Sequence, residues 1–383
     1  MKLEEQLIKA IEFAVDSNYS IYNKQGFIWE RLKTAKTICI FGTGKYYSDL
    51  KEKGFLKTFF KSIAPIKYVC DNNSYNWGKK YITNIDYAKC ISPEELSRLD
   101  DVVTLIAVGE YKEIQKQLTD LQVENYTIGD LFLREYDQHY SKEWFINNRD
   151  RIINALEVFD DYKSKEIYTE VICNRIAPEF STKTFNEIKE ENEYFSTDIF
   201  KLTDDEYIAD CGAFIGDSLE EFYEIKKGKF GAYYCFELDN DNCEICNKKI
   251  DSYNNNKIEL IRAGVSDKNE IISITKSNGF SSRIDGKGNK LIKANIVKID
   301  DALKDKKVTF IKMDIEGAEI PALKGAEKII KEQNPKLVIS AYHYLSDLWE
   351  IPLLIKEMNP KYKIYMRHHT TAVWDTDCYA YIQ

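Results

Sequence analysis

Short apolar runs alternate with amphipathic helical patterns along much of the chain, and this alternation predicts parallel β-sheets. In the first third, such runs fall at residues 37–41, 67–70 and 102–108, with helical patterns between them. We therefore predict a small Rossmann-like α/β domain over residues 37–133, preceded by N-terminal helices within residues 1–36.

A second series of apolar runs fills the C-terminal half of the chain. Its predicted strands are approximately 207–210, 232–236, 258–263, 308–313, 336–341, 362–366 and 378–382. Seven strands whose last two form a C-terminal pair predict a doubly wound open sheet over residues 201–383. Alternating apolar positions and turn residues in 271–299 predict a β-hairpin inserted between the third and fourth strands. The charged, mostly helical segment 134–200 is predicted to connect the two sheets.

A glycine-rich turn follows the first strand of the C-terminal sheet. In the sequence YIADCGAFIGDSLEEF the strand stops at Asp210, Gly212 and Gly216 flank three apolar residues, and Asp217 and Ser218 open a helix. Glycine lets the backbone turn tightly and approach a ligand without a Cβ in the way. The free N–H groups of the following helix face the same spot. The pattern therefore predicts a ligand site at this strand end.

An acidic residue ends the next strand, because the run AYYCF is followed by Glu237. In nucleotide-binding α/β units, an acid at this point binds ribose hydroxyls. Asp210 and Asp217 would repel a pyrophosphate but suit a ligand with an ammonium or sulfonium group. These charges favour S-adenosylmethionine over NAD. The alternative interpretation is an ordinary β-turn-α unit with surface acids.

Two further acids follow the apolar strand that ends at Met313. The sequence KMDIEGAE puts Asp314 and Glu316 at the same edge of the sheet, with their side chains on one side of the extended chain. We predict that Asp314 contacts a ligand. Glu319 is instead expected to cap the following helix, whose N-terminus favours negative charge.

Histidines are few in this chain, and most of them fall near the predicted site. His343 lies directly after the fifth strand, where a neutral imidazole would take the proton from an attacking hydroxyl. A structural histidine bonded to backbone is the alternative. His368 and His369 are expected in the loop between the last two strands, where one of them, together with Arg367, would contact the substrate. His139 lies in the connecting segment and has no assigned role.

Composition argues against a nucleic-acid partner and a membrane span, and it favours a reducing compartment. The net charge is −9 and no basic patch compensates for it, so a nucleic-acid groove is not expected. No apolar run reaches the ~20 residues that a membrane span needs, and the amphipathic first residues do not form a signal peptide. Nine cysteines, mostly in predicted strands, suggest a reducing cytoplasm. Cys243 and Cys246 form a CxxC within a predicted helix, without a second pair, so zinc is not expected there.

Taken together, these motifs resemble the FkbM-type S-adenosylmethionine-dependent methyltransferases. The resemblance is carried by DCGAFIGDS, the strand end at Glu237, KMDIEGAE, SAYHYLSDLWEIP and YKIYMRHH, and it covers roughly residues 157–383. It implies a Rossmann-like class I methyltransferase sheet, S-adenosylmethionine as the methyl donor, and usually O-methylation. The implied acceptors are small molecules, such as sugars of surface polysaccharides, other glycan precursors, or hydroxyls of secondary metabolites.

Individual residues take predicted roles in this site. The positions predicted to line the donor are Asp210, Gly212, Ala213, Phe214, Gly216, Asp217, Ser218, Glu237, Leu238, Gly264, Val265 and Asp314. The predicted catalytic residues are His343, Asp314 and Glu316. The residues predicted to contact the acceptor are His343, Tyr344, Arg367 and His368. The base role of His343 is an inference from its position, because the resemblance does not supply the base.

Other functions stay open for the N-terminal sheet. Its Gly42-Thr43-Gly44 turn, followed by a strand ending at Asp71, would suit an NAD-dependent enzyme or sensor. A structural or docking domain explains the same residues equally well. The whole chain would also fit a nucleotide- or nucleotide-sugar-binding protein of a glycan-assembly pathway without methyl transfer.

A divalent metal is not predicted, although Asp314, Glu316 and His343 offer ligands that would acidify an acceptor hydroxyl. The hairpin residues that would reach over the donor or acceptor are Ser281, Ser282 and Arg283. An exposed turn is the alternative for those three. An oligomer is compatible with the sequence.

Overall fold

A computed structural model gives the fold of this chain. The structure describes residues 2–16, 21–45, 47–48, 64–83, 86–108, 111–128, 140–195, 198–275, 291–371 and 373–383. The N-terminal unit consists of Met1–Arg149, Thr169–Lys189 and Thr370–Val373, and the C-terminal unit of Asp150–Tyr168, Glu190–His369 and Trp374–Gln383. The domain boundaries drawn from the sequence stay a prediction. The residues discussed above that lie outside the described part of the chain are His139, Ser281, Ser282 and Arg283.

The N-terminal unit contains a six-stranded sheet. Its strands are β1 (Thr37–Phe41), β2 (Ile66–Cys70), β3 (Lys80–Ile82), β4 (Tyr87–Ile91), β5 (Val102–Ile106) and β6 (Glu124–Thr127). Their order is β3-β4-β2-β1-β5-β6, and every pair is parallel except β3–β4 at one edge. Every residue of β1 and β5 is buried, as expected for central parallel strands covered on both faces. The smaller α/β sheet predicted from the sequence is confirmed.

The C-terminal unit carries the remaining described strands. They are β7 (Tyr207–Cys211), β8 (Ala232–Phe236), β9 (Ile258–Ile261), β10 (Gly264–Val265), β11 (Glu270–Thr275), β12 (Leu291–Val297), β13 (Phe310–Met313), β14 (Lys336–Ser340), β15 (Lys363–His368) and β16 (Thr376–Tyr381). Seven of these form one sheet in the order β15-β16-β14-β13-β7-β8-β9. Only the pairs of β16 with β14 and β15 are antiparallel. The doubly wound sheet with its C-terminal strand pair is therefore confirmed.

The predicted hairpin is present as a separate small sheet. β11 and β12 are antiparallel, with Glu270 opposite Ile296 and Thr275 opposite Leu291. β10 adds to this pair in parallel with β12. The connection between β11 and β12, residues 276–290, lies outside the described residues.

Helices connect the strands of both units. The α-helices within the described residues are Leu3–Asp16, Ile21–Thr34, Pro93–Leu96, Tyr111–Asp120, Lys142–Asn154, Tyr162–Ile176, Phe185–Ile188, Asp217–Lys226, Asn240–Tyr253, Ile299–Ala302, Glu319–Gly325, Glu327–Gln333 and Asp347–Met358. Within the predicted connecting segment, residues 134–200, the described α-helices are Lys142–Asn154, Tyr162–Ile176 and Phe185–Ile188. No described helix has the length and apolar character needed to cross a membrane.

The core of the C-terminal unit is rich in aromatic side chains. Phe222 lies between Phe230, Tyr233 and Phe195, with ring centroids 5.1–5.5 Å apart. Because Phe222 belongs to the helix Asp217–Lys226, these contacts fix that helix and the turn that precedes it. β13 is also buried along its whole length, although one of its four residues is a lysine. A buried charge of this kind needs a partner, and the partner lies at the candidate site.

Candidate functional site

The glycine turn after β7 packs directly against the end of β13. Gly212 has φ +82°, a conformation in which L side chains are strained. A Cβ added to Gly212 would lie 2.0 Å from the carbonyl oxygen of Asp314. Gly216, with φ +80°, is the N-cap of the helix Asp217–Lys226. Gly212 is therefore required by the close approach of the two strand ends.

A buried ion pair supports the turn from below. Lys312 Nζ lies 3.1 Å from Asp210 Oδ1, and the two side chains are 3% and 0% exposed. The same ammonium donates to the carbonyl of Gly212 at 2.9 Å, and Tyr233 donates to Asp210 Oδ2 at 2.8 Å. Burial raises the pKa of Asp210, whereas Lys312 and Tyr233 lower it. Burial opposes the charge of Lys312, but the pKa of its ammonium is raised because Asp210, Asp314 and Asp217 outweigh burial.

This arrangement assigns Asp210 a supporting position. Its carboxylate is directed to Lys312 and Tyr233 and is shielded from solvent, so it holds the backbone of the turn through Lys312. Lys312 is missing from the residues predicted for the site. In the sequence it is a single charge within the otherwise apolar run that ends at Met313, and this signal could have identified the pair.

Glu237 holds the other side of the turn at the end of β8. Its Oε2 accepts a hydrogen bond from the N–H of Phe214 at 2.9 Å, and its Oε1 accepts one from the N–H of Asp239 at 2.7 Å. Burial raises the pKa of Glu237, and these two backbone donors oppose that rise. Each carboxylate oxygen keeps further acceptor capacity, so hydroxyl groups of a ligand can still bind.

The other residues predicted to line the donor lie at the same strand ends. Leu238 and Gly264 are neighbours, since a Cβ added to Gly264 would lie 3.5 Å from Leu238 Cβ. Val265 follows in β10 and is buried. Ala213 and Ser218 are buried within the turn and the first turn of its helix.

A cluster of one imidazole and two carboxylates lies beside the turn. His343 Nε2 is 3.5 Å from Asp314 Oδ1, and His343 Nδ1 is 3.2 Å from Glu319 Oε1. Phenol groups also reach Asp314: Tyr194 donates to Oδ2 at 3.2 Å and Tyr342 to Oδ1 at 3.3 Å. The side chains of His343 and Glu319 are buried, whereas that of Asp314 is 27% exposed. Asp314 is therefore the member of the cluster that a ligand can reach.

The surroundings of His343 correct the expectation of a neutral imidazole. Burial opposes the charged ring, but Glu319 and Asp314 outweigh burial and raise the pKa of His343 to about 10. At neutral pH the ring therefore keeps its proton in this geometry. A protonated imidazole cannot accept a proton from an attacking hydroxyl.

Glu319, and not the predicted Glu316, is the second carboxylate beside His343. Glu316 is exposed and has φ +58°, and Gly317 follows with φ +94°. These two residues reverse the chain, so Glu319 turns back toward His343. Glu319 Oε1 also accepts the N–H of Ile315 at 2.8 Å, a donor that precedes the helix Glu319–Gly325. That helix start has no side-chain cap, so the capping role expected of Glu319 is wrong.

Arg367 and His368 lie in β15, and not in the loop expected to close over the acceptor. The Arg367 side chain is 3% exposed and donates to Asp161 Oδ2 at 2.8 Å and to Asp198 Oδ2 at 3.0 Å. His368 is buried, with Nδ1 2.8 Å from Thr376 Oγ1 on the neighbouring strand β16. The two side chains join elements of the C-terminal unit, and their contact with substrate stays a prediction.

More acids and one more tyrosine surround the cluster. The ring of Tyr344 covers Gly317, because a Cβ added to Gly317 would lie 2.7 Å from Tyr344 Cε2. Asp377 is fully buried and accepts a hydrogen bond from Ser340 at 3.0 Å. Burial, with Asp314 next, raises the pKa of Asp377 to about 8. Burial and Asp377 also raise the pKa of Glu193. The neighbourhood of Asp314 is thus strongly acidic.

The glycine turn of the N-terminal sheet is closed by its own side chains. Asp71 Oδ2 accepts hydrogen bonds from the N–H of Thr43 at 3.0 Å and from its hydroxyl at 2.5 Å. Asp71 Oδ1 accepts the N–H of Asn73 at 2.8 Å. A Cβ added to Gly42 would lie 2.6 Å from Val108 Cγ2. These contacts give Asp71 a structural role in the turn.

Comparison with known proteins relates both units to solved structures. Residues 210–367 match the family model described as the methyltransferase FkbM domain. The crystal structure of methyltransferase FkbM from Methylobacillus flagellatus KT matches with 24% identity and a TM-score of 0.68, covering 99% of each chain. An rRNA methylase from Streptococcus thermophilus matches 48% of this chain and 90% of its own, with 13% identity and a TM-score of 0.32. None of the curated proteins matches significantly. The Methylobacillus structure therefore shares the fold over nearly the whole chain.

Proposed function

We propose that this protein methylates a hydroxyl of a sugar or glycan precursor. The proposal starts from the family: the C-terminal part of the chain belongs to the FkbM methyltransferases, and the methyl donor is S-adenosylmethionine. The observation that carries the proposal is the contact between the glycine turn and Asp314. A Cβ at Gly212 would lie 2.0 Å from the Asp314 carbonyl oxygen. A donor seated on the turn would therefore adjoin the acidic cluster.

The turn suits the donor in shape and in charge. Gly212 leaves room for a ligand to approach the backbone, and Glu237 keeps acceptor capacity for ribose hydroxyls. The carboxylates of Asp314 and Asp217 lie at the same edge and both act on Lys312, so their field also reaches the turn. A sulfonium cation is favoured there by the same field.

The neighbourhood of Asp314 suits a polyhydroxylated acceptor. Sugar hydroxyls donate to carboxylates and exchange hydrogen bonds with phenol oxygens. Asp314, Tyr194 and Tyr342 present such groups together, and Asp314 is partly open to solvent. We assign Asp314 the task of orienting the acceptor hydroxyl toward the donor.

S-adenosylmethionine supplies an activated methyl group, whose carbon bonds to the acceptor oxygen as its bond to sulfur breaks and sulfur keeps the electron pair. The chain's own contribution is to align the two reactants, which is worth about 7–11 kcal/mol in well-oriented reactions. The turn around Gly212 and the carboxylate of Asp314 would fix the two sides of that alignment. The hydroxyl proton passes to water during or after the transfer, because the site is partly open to solvent at Asp314.

The general-base role predicted for His343 is not part of this proposal. That role needs a neutral ring, and Glu319 and Asp314 hold the proton on it. Without a bound cation, His343 instead neutralises the two carboxylates. Exposed Glu316 has no assigned task.

Methyl transfer from labelled S-adenosylmethionine to a panel of sugars, nucleotide sugars and amines tests the proposal. We expect label on an oxygen of at least one sugar. Turnover should be at least ~10²-fold lower in Asp314→Asn than in the wild type, because the acceptor hydroxyl is no longer oriented. Glu316→Gln is the matched control, one exposed carboxylate on the same loop, and should keep wild-type turnover. Transfer to amines only, or donor binding without any transfer, would contradict the proposal.

A further inference from the structure

Asp314, Glu319 and His343 form a compact set of metal-ligand groups. Each offers one ligand atom, and these atoms lie within 4.8 Å of one another. One cation takes one nitrogen of an imidazole, and the 3.5 Å between His343 Nε2 and Asp314 Oδ1 is near the separation of neighbouring ligands on one cation. The other ring nitrogen, Nδ1, lies 3.2 Å from Glu319 Oε1. The set combines two strand ends, since Asp314 follows β13 and His343 follows β14.

One atom of the set lacks a hydrogen-bond partner despite deep burial. Among the described residues of the set, Glu319 Oε2 has no hydrogen-bond partner, and its side chain is 1% exposed. His343, 4% exposed, already has Glu319 Oε1 at 3.2 Å from its Nδ1. An unsatisfied buried polar atom costs about 1–3 kcal/mol. A cation bound between these side chains would satisfy Glu319 Oε2.

The set also has the outer contacts that hold metal ligands in place. Tyr194 and Tyr342 donate to the two oxygens of Asp314, and the N–H of Ile315 donates to Glu319 Oε1. Outer hydrogen bonds of this kind fix ligating carboxylates in metalloproteins. Both carboxylates are therefore oriented before any cation arrives.

We propose that Asp314, Glu319 and His343 bind one divalent cation, which in turn binds the acceptor hydroxyl. Two carboxylates and one imidazole suit Mn²⁺, an ion that accepts oxygen and nitrogen ligands together. Three protein ligands leave coordination positions open on an octahedral ion, and partly exposed Asp314 gives access to them. The binding site stands on its own geometry, whereas the role toward the acceptor rests on the proposed function.

The cation would help the acceptor hydroxyl to lose its proton. A hydroxyl bound to a divalent cation is more acidic, so it gives up its proton to water more readily. The methyl carbon then bonds to that oxygen as its bond to sulfur breaks. Binding of the cation releases the imidazole proton, because a ligand nitrogen carries none.

Titration of the full chain with Mn²⁺ alone tests the site. Free Mn²⁺ is followed by its electron paramagnetic resonance, and the melting temperature is measured in the same samples. We expect one ion per chain and a rise in melting temperature with Mn²⁺ concentration, because the ion binds the folded state. No binding, or a stoichiometry unchanged in the variants below, would overturn the proposal.

Three variants and one control locate the ion. Asp314→Asn, Glu319→Gln and His343→Gln should each weaken Mn²⁺ binding by at least ~10-fold. Glu316→Gln should bind like the wild type. Because Glu319 is buried, Glu319→Gln is expected to lower stability as well as Mn²⁺ affinity. The decisive variant is therefore Asp314→Asn, at a partly exposed residue: wild-type Mn²⁺ affinity in this variant would place any ion elsewhere.

An activity arm separates this inference from the proposed function. After removal of divalent ions by chelation, methyl transfer should fall and Mn²⁺ should restore it, while donor binding stays unchanged. Full transfer by the chelated protein would overturn the cation's role and leave the methyltransferase proposal standing. Mn²⁺ binding without transfer to any sugar would support the site and contradict the acceptor class.

Discussion

In each of the two sheets, a central strand is followed by a glycine turn, and the two turns make the same backbone hydrogen bonds to the adjacent strands. The N–H of Gly42 donates to the last residue of β2, and that of Gly212 donates to the last residue of β8. Ala107 donates to the carbonyl of Phe41 at 2.8 Å, as Asp314 does to that of Cys211 at 3.1 Å. The residues at matching positions nevertheless differ in chemistry.

The N-terminal sheet is apolar where the C-terminal sheet is charged. Ile40 and Leu105 are partners across β1 and β5, whereas Asp210 and Lys312 are partners across β7 and β13. Ala107 stands in the position of Asp314. The turn and the sheet therefore form without any of these charges. A buried ion pair is weak evidence for stability, and the N-terminal sheet forms the same turn without one.

The largest effect is expected when the buried pair of the C-terminal sheet is broken. Lys312→Met leaves Asp210 buried without its cation, which should lower the free energy of unfolding by about 3–5 kcal/mol. The double variant Asp210→Ile, Lys312→Leu copies the N-terminal pair and should recover most of that loss. Urea unfolding followed by circular dichroism measures both. Calorimetric titration with S-adenosylmethionine should detect no donor binding in either variant, and wild-type donor affinity in the double variant would separate the pair from the donor site.

A second difference concerns the residue just before each central strand. Glu206 is buried and bonds to Lys336 Nζ at 2.6 Å, whereas exposed Lys36 pairs with exposed Asp100. Burial opposes the charge of Glu206, but Lys336 and neighbouring donors lower its pKa below the ordinary 4.5. Its contribution is therefore complete above pH 4.5 and is lost as the pH falls through the lower pKa of the folded state.

Glu206→Gln should accordingly lower the free energy of unfolding by about 2 kcal/mol at pH 7 and flatten its decline below pH 4.5. Urea unfolding at a series of pH values measures this. Lys36→Gln is the exposed counterpart and should change neither the free energy nor its pH dependence. An unchanged acid slope in Glu206→Gln would assign the acid sensitivity to other carboxylates.

The smallest effect is expected from the acids that follow β8 and β2, which are Glu237 and Asp71. Glu237→Gln replaces one acceptor oxygen by an NH₂ group facing a backbone N–H, so donor affinity should fall about 10-fold or more. Asp71→Asn should leave donor affinity and methyl transfer unchanged, because Asp71 closes its own turn. Calorimetric titration with S-adenosylmethionine, and separately with NAD, measures both variants. NAD binding that is lost in Asp71→Asn would establish a nucleotide site in the N-terminal sheet.

The sequence predicted those features that depend on local pattern. The run 232–236 gave β8 at its observed bounds, and alternation within 271–299 gave the hairpin. The acids at strand ends, Glu237 and Asp314, were found because parallel strands end at a common edge.

The features that sequence reasoning missed depend on turns and on distant partners. Glu316 was chosen over Glu319 because an extended chain was assumed, and the positive φ of Glu316 and Gly317 reverses it. The charge of His343 depends on Glu319, which no periodicity connects to it. Arg367 and His368 were placed in a loop, since the strand was predicted to end two residues before its observed end at His368.

A Cβ at Gly212 would lie 2.0 Å from the carbonyl oxygen of Asp314, so the turn after β7 and the loop after β13 are in direct backbone contact. The turn at Gly212 would contact the donor and the loop at Asp314 the acceptor. Because the two segments are in direct contact, a displacement of one must displace the other. Occupancy of the donor side should consequently alter how tightly the acceptor is held, and the reverse should be true to the same degree.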